Sequence, residues 1–204
     1  MVNQNDPRVL RTQQWIREAL ITLIEQVGFA AVTIQNLTHQ AGINRATFYQ
    51  HYQDKYDLLE HITTNMLASL KAEVNVEYLK KADVNLDLHT MESLFLRVLT
   101  IISQHHHSFK VMLGDRGLPS FQQQMIDLIK ENLHEVIRQP ASTDPSFVIT
   151  RDIAITYSAT ANVGLLTQWL TGKMPYSAEF MATQMASLFV HGPLQSLQSN
   201  SISS

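Results

Sequence analysis

The side chains best suited to chemistry crowd into one segment, Ile43–Leu59, INRATFYQHYQDKYDLL. It holds three tyrosines, a phenylalanine, an arginine, a histidine and a lysine. The segment is too polar for a buried strand and too aromatic for an ordinary solvated helix. Its donors suit an anionic polymer. Arg45 at a helix start can place two N–H groups on a guanine edge, and Ala46 and the Thr47 methyl can pack on thymine methyls. Tyr49 and His51 offer donors to phosphate oxygens, as does Thr33 at its own helix N-terminus, and Lys55 can reach another phosphate. Residue types alone leave other readings open. Tyr49 and Tyr52 also make a core pair, the favoured reading for Tyr52, and His51 reads equally well as a solvated surface histidine.

Other chemistries find little support. There is no cysteine, hence no disulfide, thiol nucleophile or thiolate metal site. No Ser/His/Asp ordering, carboxylate pair, Gly-rich phosphate loop or metal-ligand spacing stands in a convincing context, so no enzyme, metal or cofactor is expected. The run His105–His107 is the one temptation. Consecutive residues on a helix point about 100° apart, so the three cannot share one ion there. A polar helix end, with histidine near the negative end of the helix dipole, explains them better.

These residues need elements to hold them, and nearly every segment reads as helix. Ile16, Ala19, Leu20, Leu23, Ile24 and Val27 recur at three- and four-residue steps, one apolar stripe, and Gly28 follows as a left-handed C-terminal cap. Thr33 caps a short second helix with Leu37 inside, ended by Gly42. Asn44 caps a third helix, Arg45 to Tyr52, and Asp54 with Asp57 opens a fourth. Helix, Gly turn, helix over 33–52 is the layout of a helix-turn-helix unit, which also occurs in bundles that touch no DNA. Further on, helices are expected over Met91–Gln104, Ser120–Arg138, Phe147–Thr171 and Ser177–His191, with breaks at 115–119 and 139–145. Gly192-Pro193 stops the last helix and leaves a frayed polar tail. The expected fold is all-α, with about nine helices.

The net charge is −3. Residues 1–55 carry five Lys/Arg against four Asp/Glu, so the more positive part coincides with the helix-turn-helix, though only weakly. No apolar run approaches the ~20 residues that span a bilayer, and the N-terminus lacks a signal-peptide layout. A cytoplasmic protein without a membrane partner is expected.

The stretch TIQNLTHQAGINRATFYQHYQDKYDLL, residues 33–59, resembles the signature of the TetR family of bacterial transcriptional regulators. The match is Thr–x3–Leu–x3–Ala–Gly–Ile, then Arg–x–Thr–Phe–Tyr–x–His–Tyr, then Asp–Lys–x–x–Leu–Leu, and it extends over roughly residues 8–62. The resemblance implies phosphate contacts at Thr33, Tyr49, His51 and Lys55. It puts base or near-base contacts at Arg45, Ala46 and Thr47, and core roles at Phe48 and Tyr52. Three positions depart from the family pattern. Tyr52 replaces a more usual Phe, Asn44 a more usual Ser, and Gln50 a more usual basic residue.

The implied organisation is a three-helix DNA-binding domain over 8–66, an effector-sensing and dimerisation bundle over 67–192, and the tail 193–204. Residues 157–189 look like the family's last two helices, which imply a homodimer. Ala154, Ser158, Ala161 and Leu165 would supply small residues for close approach, with Met181, Met185, Leu188 and Phe189 as the apolar stripe of the last helix. The implied function is a ligand-responsive regulator, most often a repressor, on a palindromic operator in double-stranded DNA. The alternative is a regulator acting through a protein partner with no small-molecule effector. Phe109, Met112, Phe121, Met125, Tyr157, Asn162 and Trp169 could line a pocket for a mostly apolar effector, although core packing is the favoured reading for each.

Overall fold

A computed structural model describes residues 6–74, 87–136 and 150–198. Nine α-helices and one 3-10 turn account for nearly all of them: α1 (Pro7–Val27), a 3-10 turn (Phe29–Ala31), α2 (Ile34–Ala41), α3 (Arg45–His51), α4 (Lys55–Glu73), α5 (Leu88–Gln104), α6 (His106–Leu113), α7 (Pro119–Val136), α8 (Arg151–Thr171) and α9 (Ala178–Gln198). Among the described residues there is no strand, and no helix is long and apolar enough to cross a membrane. The break expected at 139–145 lies outside them.

The chain divides into two compact units. The first takes residues up to Leu67 together with His107–Phe121, and the second takes Ala68–His106 and the chain from Gln122 onward. This differs from a simple division near residue 66, because α6 and the loop after it belong to the first unit.

In the first unit, Asp6 caps α1 by accepting from the Arg8 N–H at 2.8 Å, with Pro7 at the position where a missing N–H is harmless. Ile16, Leu20 and Ile24 on α1, Leu37 on α2, Phe48 on α3 and Leu58 on α4 are all fully buried. Val27 is not part of that stripe: it is half exposed, because α1 ends there and turns out of the core. Gly28 has φ 77° and ψ 151°, a positive φ but not the left-handed helical cap expected of it. Gly117 is required by space. A Cβ there would sit 2.2 Å from the Met112 carbonyl oxygen, since the loop folds back to let Leu118 N–H donate to that oxygen at 2.9 Å.

In the second unit, α5 and α9 form the most extensive helix pair. Thr183 donates a hydrogen bond to Glu92, and the rings of Phe95 and Phe189 meet edge-on at 6.3 Å. Arg97 donates to the Glu73 carbonyl at the end of α4 (3.3 Å), and Arg151 to the His134 carbonyl near the end of α7 (2.6 Å). Such cations belong at helix C-termini, where carbonyls lack intrahelical partners. Gly192, with φ 75° and ψ 165°, breaks α9 as anticipated. Helix then resumes to Gln198, so residues 193–198 are not a frayed tail; a kink at one glycine still allows a new turn after the proline.

Candidate nucleic-acid interface

Local capping chemistry fixes the turn between α2 and α3. At the start of α2, the Thr33 hydroxyl accepts from the Asn36 N–H (3.2 Å) and the Thr33 N–H donates to the Asn36 side-chain oxygen (2.8 Å), a reciprocal box. The hydroxyl proton is left over for an outside acceptor. Gly42 ends α2 in the left-handed region (φ 66°, ψ 31°), where a side chain is disfavoured, and Ile43 N–H closes the turn on the Thr38 carbonyl at 3.0 Å. The Asn44 carboxamide oxygen then accepts from both the N–H and the hydroxyl of Thr47, at 2.8 and 3.0 Å. With its hydroxyl so engaged, Thr47 has its methyl left for outside contact.

On α3 the faces separate. Phe48 is fully buried and Tyr52 is 3% exposed, while Arg45, Ala46 and Tyr49 are exposed. Arg45 lies along Tyr49 one turn later, its Nη2 at 3.4 Å from the tyrosine hydroxyl and its guanidinium 5.9 Å from the ring centre. Both are long contacts between exposed groups, and the arginine can leave the tyrosine for a base edge. His51 is half-buried in the last turn, and burial lowers its pKa below the usual histidine value. The ring is therefore neutral near pH 7, a hydrogen-bond donor rather than a charge.

Lys55 is placed otherwise than a phosphate ligand. Its Nζ donates to the carbonyls of Phe29 (3.1 Å), Ala30 (3.1 Å) and Val32 (2.7 Å), and lies 4.8 Å from the Phe29 ring centre. Three protons meet three acceptors, and none remains. The ammonium ties the start of α4 to the turn that delivers Thr33. Asp54 and Asp57 complete that start: Asp54 accepts from Tyr56 and Asp57 N–H at 2.8 and 2.9 Å, and Asp57 from Gln53 N–H at 2.8 Å.

The Tyr52 hydroxyl, present where phenylalanine is more usual, is buried without a hydrogen-bond partner. The three consecutive histidines serve three different ends. His105 ends α5, His106 lies 3.3 Å from the Ser103 carbonyl, and His107 pairs with Glu25 on α1 at 3.0 Å. The hydrogen bond from His107 holds the Glu25 carboxyl below the usual carboxylate range. Arg116 reinforces this join by donating to the carbonyls of Glu25 (3.2 Å) and Gln26 at the end of α1. Among the described residues no three metal-binding side chains converge.

A second feature lies wholly within the second unit: a cavity of about 130 Å³ walled by α4, α5, α7, α8 and α9. Among the described residues its only polar side chains are Asn132 and Asn162. Of the residues suggested for an effector pocket, Met125 and Asn162 line it. Phe109, Met112 and Phe121 are core residues of the first unit, with Phe109 and Phe121 rings 6.2 Å apart. Tyr157 is 58% exposed, and Trp169 is buried with its indole N–H on the Tyr176 carbonyl at 3.0 Å. Leu70, Phe95, Leu99, Leu166 and Phe189 do form the wall, but in sequence they are indistinguishable from core. Asn132 carried a usable signal, an amide set among Leu128, Ile129 and Leu133 at helical spacing.

The stripe expected to meet a second subunit is also redistributed. Met181 and Met185 are buried inside one chain, because α9 turns that face to its own bundle. Among the described residues of the last two helices and the turn between them, the large apolar groups left exposed are Ile153 and Tyr157 on α8, with Tyr176 and Phe180, whose rings lie 4.8 Å apart, at the start of α9.

Residues 16–62 match the family described as bacterial regulatory proteins, tetR family, and residues 89–191 match the family described as transcriptional regulator C-terminal region. An uncharacterized HTH-type transcriptional regulator of Bacillus subtilis strain 168, YxbF, is 37% identical over 68 residues. That stretch is 33% of this chain and only 18% of the relative's length. The solved structure of NalD, described as the secondary repressor of the MexAB-OprM multidrug efflux pump in Pseudomonas aeruginosa, superposes with a TM-score of 0.64 at 17% identity, over 90% of this chain and 96% of that one. The dihydroxyacetone kinase operon activator DhaS superposes with a TM-score of 0.55 at 19% identity, over 88% and 94%. At such identities the two structures speak to the fold alone.

Proposed function

The chain belongs to the TetR family of bacterial transcriptional regulators, which bind DNA, and on that premise we propose a ligand-responsive repressor that grips a palindromic operator as a homodimer. The observation that carries the DNA half is the division of α3: Phe48 and Tyr52 hold it inward while Arg45, Ala46 and Tyr49 are exposed. In this reading Arg45, Ala46 and Thr47 face base edges, and Thr33, Tyr49 and His51 donate to phosphates. One seven-residue helix offers too few base contacts for selectivity, and a two-fold pair on a palindrome doubles them. Exposed Ile153, Tyr157 and Phe180 on the last two helices supply the apolar surface for that pairing.

The cavity supports the effector half. Helix α4 begins with Lys55 in the first unit and carries the cavity-wall residue Leu70 in the second. An effector that prefers one position of α4 shifts the population of DNA-binding dimers. Repression needs only occupancy of a promoter. NalD is described as a repressor and DhaS as an activator, so the shared fold does not choose the sign. Work on the chromosome places the protein in the bacterial cytoplasm.

The test is fluorescence anisotropy of the purified chain on palindromes from its own promoter region, with a promoter reporter to read the sign. Selective binding by the dimer, lost on removal of residues 1–55, is expected. Selective binding that survives this deletion would sink the reading.

A further inference from the structure

Helix α3 presents one polar side chain to which the DNA contacts set out above give no task, Gln50. Successive residues on a helix turn by about 100°, so a position two places from a buried residue points about 200° round from it, almost straight outward. Phe48 is fully buried, and its two such neighbours, Ala46 and Gln50, are both exposed. They lie one turn apart on the line of the helix farthest from the core. Thr47 and Tyr49 flank that line on either side, and His51, nearer the Phe48 side, is half-buried.

The side chains of this face also differ in what already holds them. The Thr47 hydroxyl donates to the Asn44 carboxamide oxygen at 3.0 Å, and Arg45 Nη2 lies 3.4 Å from the Tyr49 hydroxyl. Among the described residues no partner engages the Gln50 carboxamide. Ala46 carries only a methyl, so the helix can approach closely there, and Gln50 extends an amide one turn further on. An amide needs an acceptor and a donor side by side. A phosphate offers acceptors only, guanine two acceptors, cytosine one donor and thymine one acceptor. Adenine alone meets both halves: the Gln50 N–H₂ donates to N7, and its oxygen accepts from the N6 amino group.

Arg45 and Gln50 are five positions apart, about 7.5 Å along the axis, which matches about two base-pair steps of roughly 3.4 Å. We infer that Gln50 is a specificity-determining residue, reading an adenine about two base-pair steps along the half-site from the guanine taken by Arg45. The assignment rests on the reading of α3 as the helix in the groove and adds a second base pair to the operator.

The full chain is first allowed to select from a pool of two-fold symmetric duplexes randomised in each half-site. The selected duplex is then varied one base pair at a time in one half and titrated by fluorescence anisotropy at fixed salt. Arg45→Ala should lose its preference at one G·C pair. Gln50→Ala should lose it at one A·T pair about two steps away, where the wild type favours A·T about tenfold. Wild-type preferences at every other position show that each variant is folded and docked. Gln50→Arg should move the preference at that one pair from A·T to G·C, a gain that a packing defect cannot produce.

Uniformly weaker binding of Gln50→Ala to every duplex would make Gln50 a phosphate contact, and an unchanged profile would make it a solvated side chain. Either result overturns the assignment, as does a loss at the same pair that Arg45→Ala affects. Where Arg45→Ala still loses its one position, α3 keeps its place in the groove and only Gln50 is withdrawn. A selected duplex on which neither variant changes any position removes α3 from the groove, and both residues with it.

Discussion

Lys55 offers the sharpest test of how the DNA-binding unit is built, because two roles for it predict opposite results. The geometry makes it an internal brace: Nζ donates to three carbonyls of the turn at 29–32, two of them partly buried. A bond from a charged donor is worth about 1.5–3 kcal/mol when sheltered, and far less where water can replace it. Counting the two sheltered bonds at half strength, and letting the exposed one go to water, Lys55→Met should cost about 2 kcal/mol. For a chain of this length that is a fall in Tm of about 4–8 °C. DNA affinity should drop too, since the turn delivers Thr33 and the start of α2.

The salt dependence separates the roles. Each phosphate neutralised by a lysine adds about 0.9 to the slope of log affinity against log salt, so a lost contact changes the wild-type-to-variant ratio about 3.5-fold between 50 and 200 mM. A brace predicts a constant ratio. Lys55→Arg adds a control: the charge survives, but a planar fork cannot reproduce three bonds from one tetrahedral nitrogen. It should therefore resemble Lys55→Met. A ratio that drifts about 3.5-fold with salt, an unchanged Tm and a fully active arginine variant would together refute the brace.

Arg45→Ala should relax base preference at one operator position by about 1–3 kcal/mol, read from a panel of single-base operator variants, whereas Tyr49→Phe should weaken binding to every sequence alike. Because burial lowers the pKa of His51, its neutral form stabilises the fold above the usual histidine pKa, and that stability is lost as pH falls. DNA binding should move the other way: between pH 7.5 and 5.5 the wild type should gain affinity relative to His51→Gln, as protonation adds a charge beside phosphate, and parallel pH profiles would remove His51 from the interface. Tyr52→Phe deletes a buried hydroxyl that has no partner, so it should raise stability by about 1 kcal/mol in denaturant unfolding. Tyr157→Glu, at a position 58% exposed, should convert dimer to monomer in sedimentation, and an unchanged mass would move the subunit interface elsewhere.

Local chemistry made the recognition unit legible. Caps and turns depend on a few neighbouring residues, so Thr33, Gly42, Asn44 and the Asp54–Asp57 pair announced their helix boundaries in sequence, and the structure has caps at each. Periodicity told which residues of α3 face inward, because Phe48 and Tyr52 lie one turn apart. What stays hidden in sequence is long-range. A lysine beside a phosphate and a lysine on carbonyls 23 to 26 residues away look identical in sequence, and only the fold brings the 29–32 turn under Lys55. The cavity failed for a related reason: an apolar residue beside a void and one in a packed core obey the same helical period. Phe109, Met112 and Phe121 were therefore as plausible a wall as Phe95, Leu99 and Phe189, until the loop held by Gly117 placed the former in the other unit. Hydrocarbon marks that a helix is buried but not against what, so a helical period cannot tell a cavity wall from a packed core.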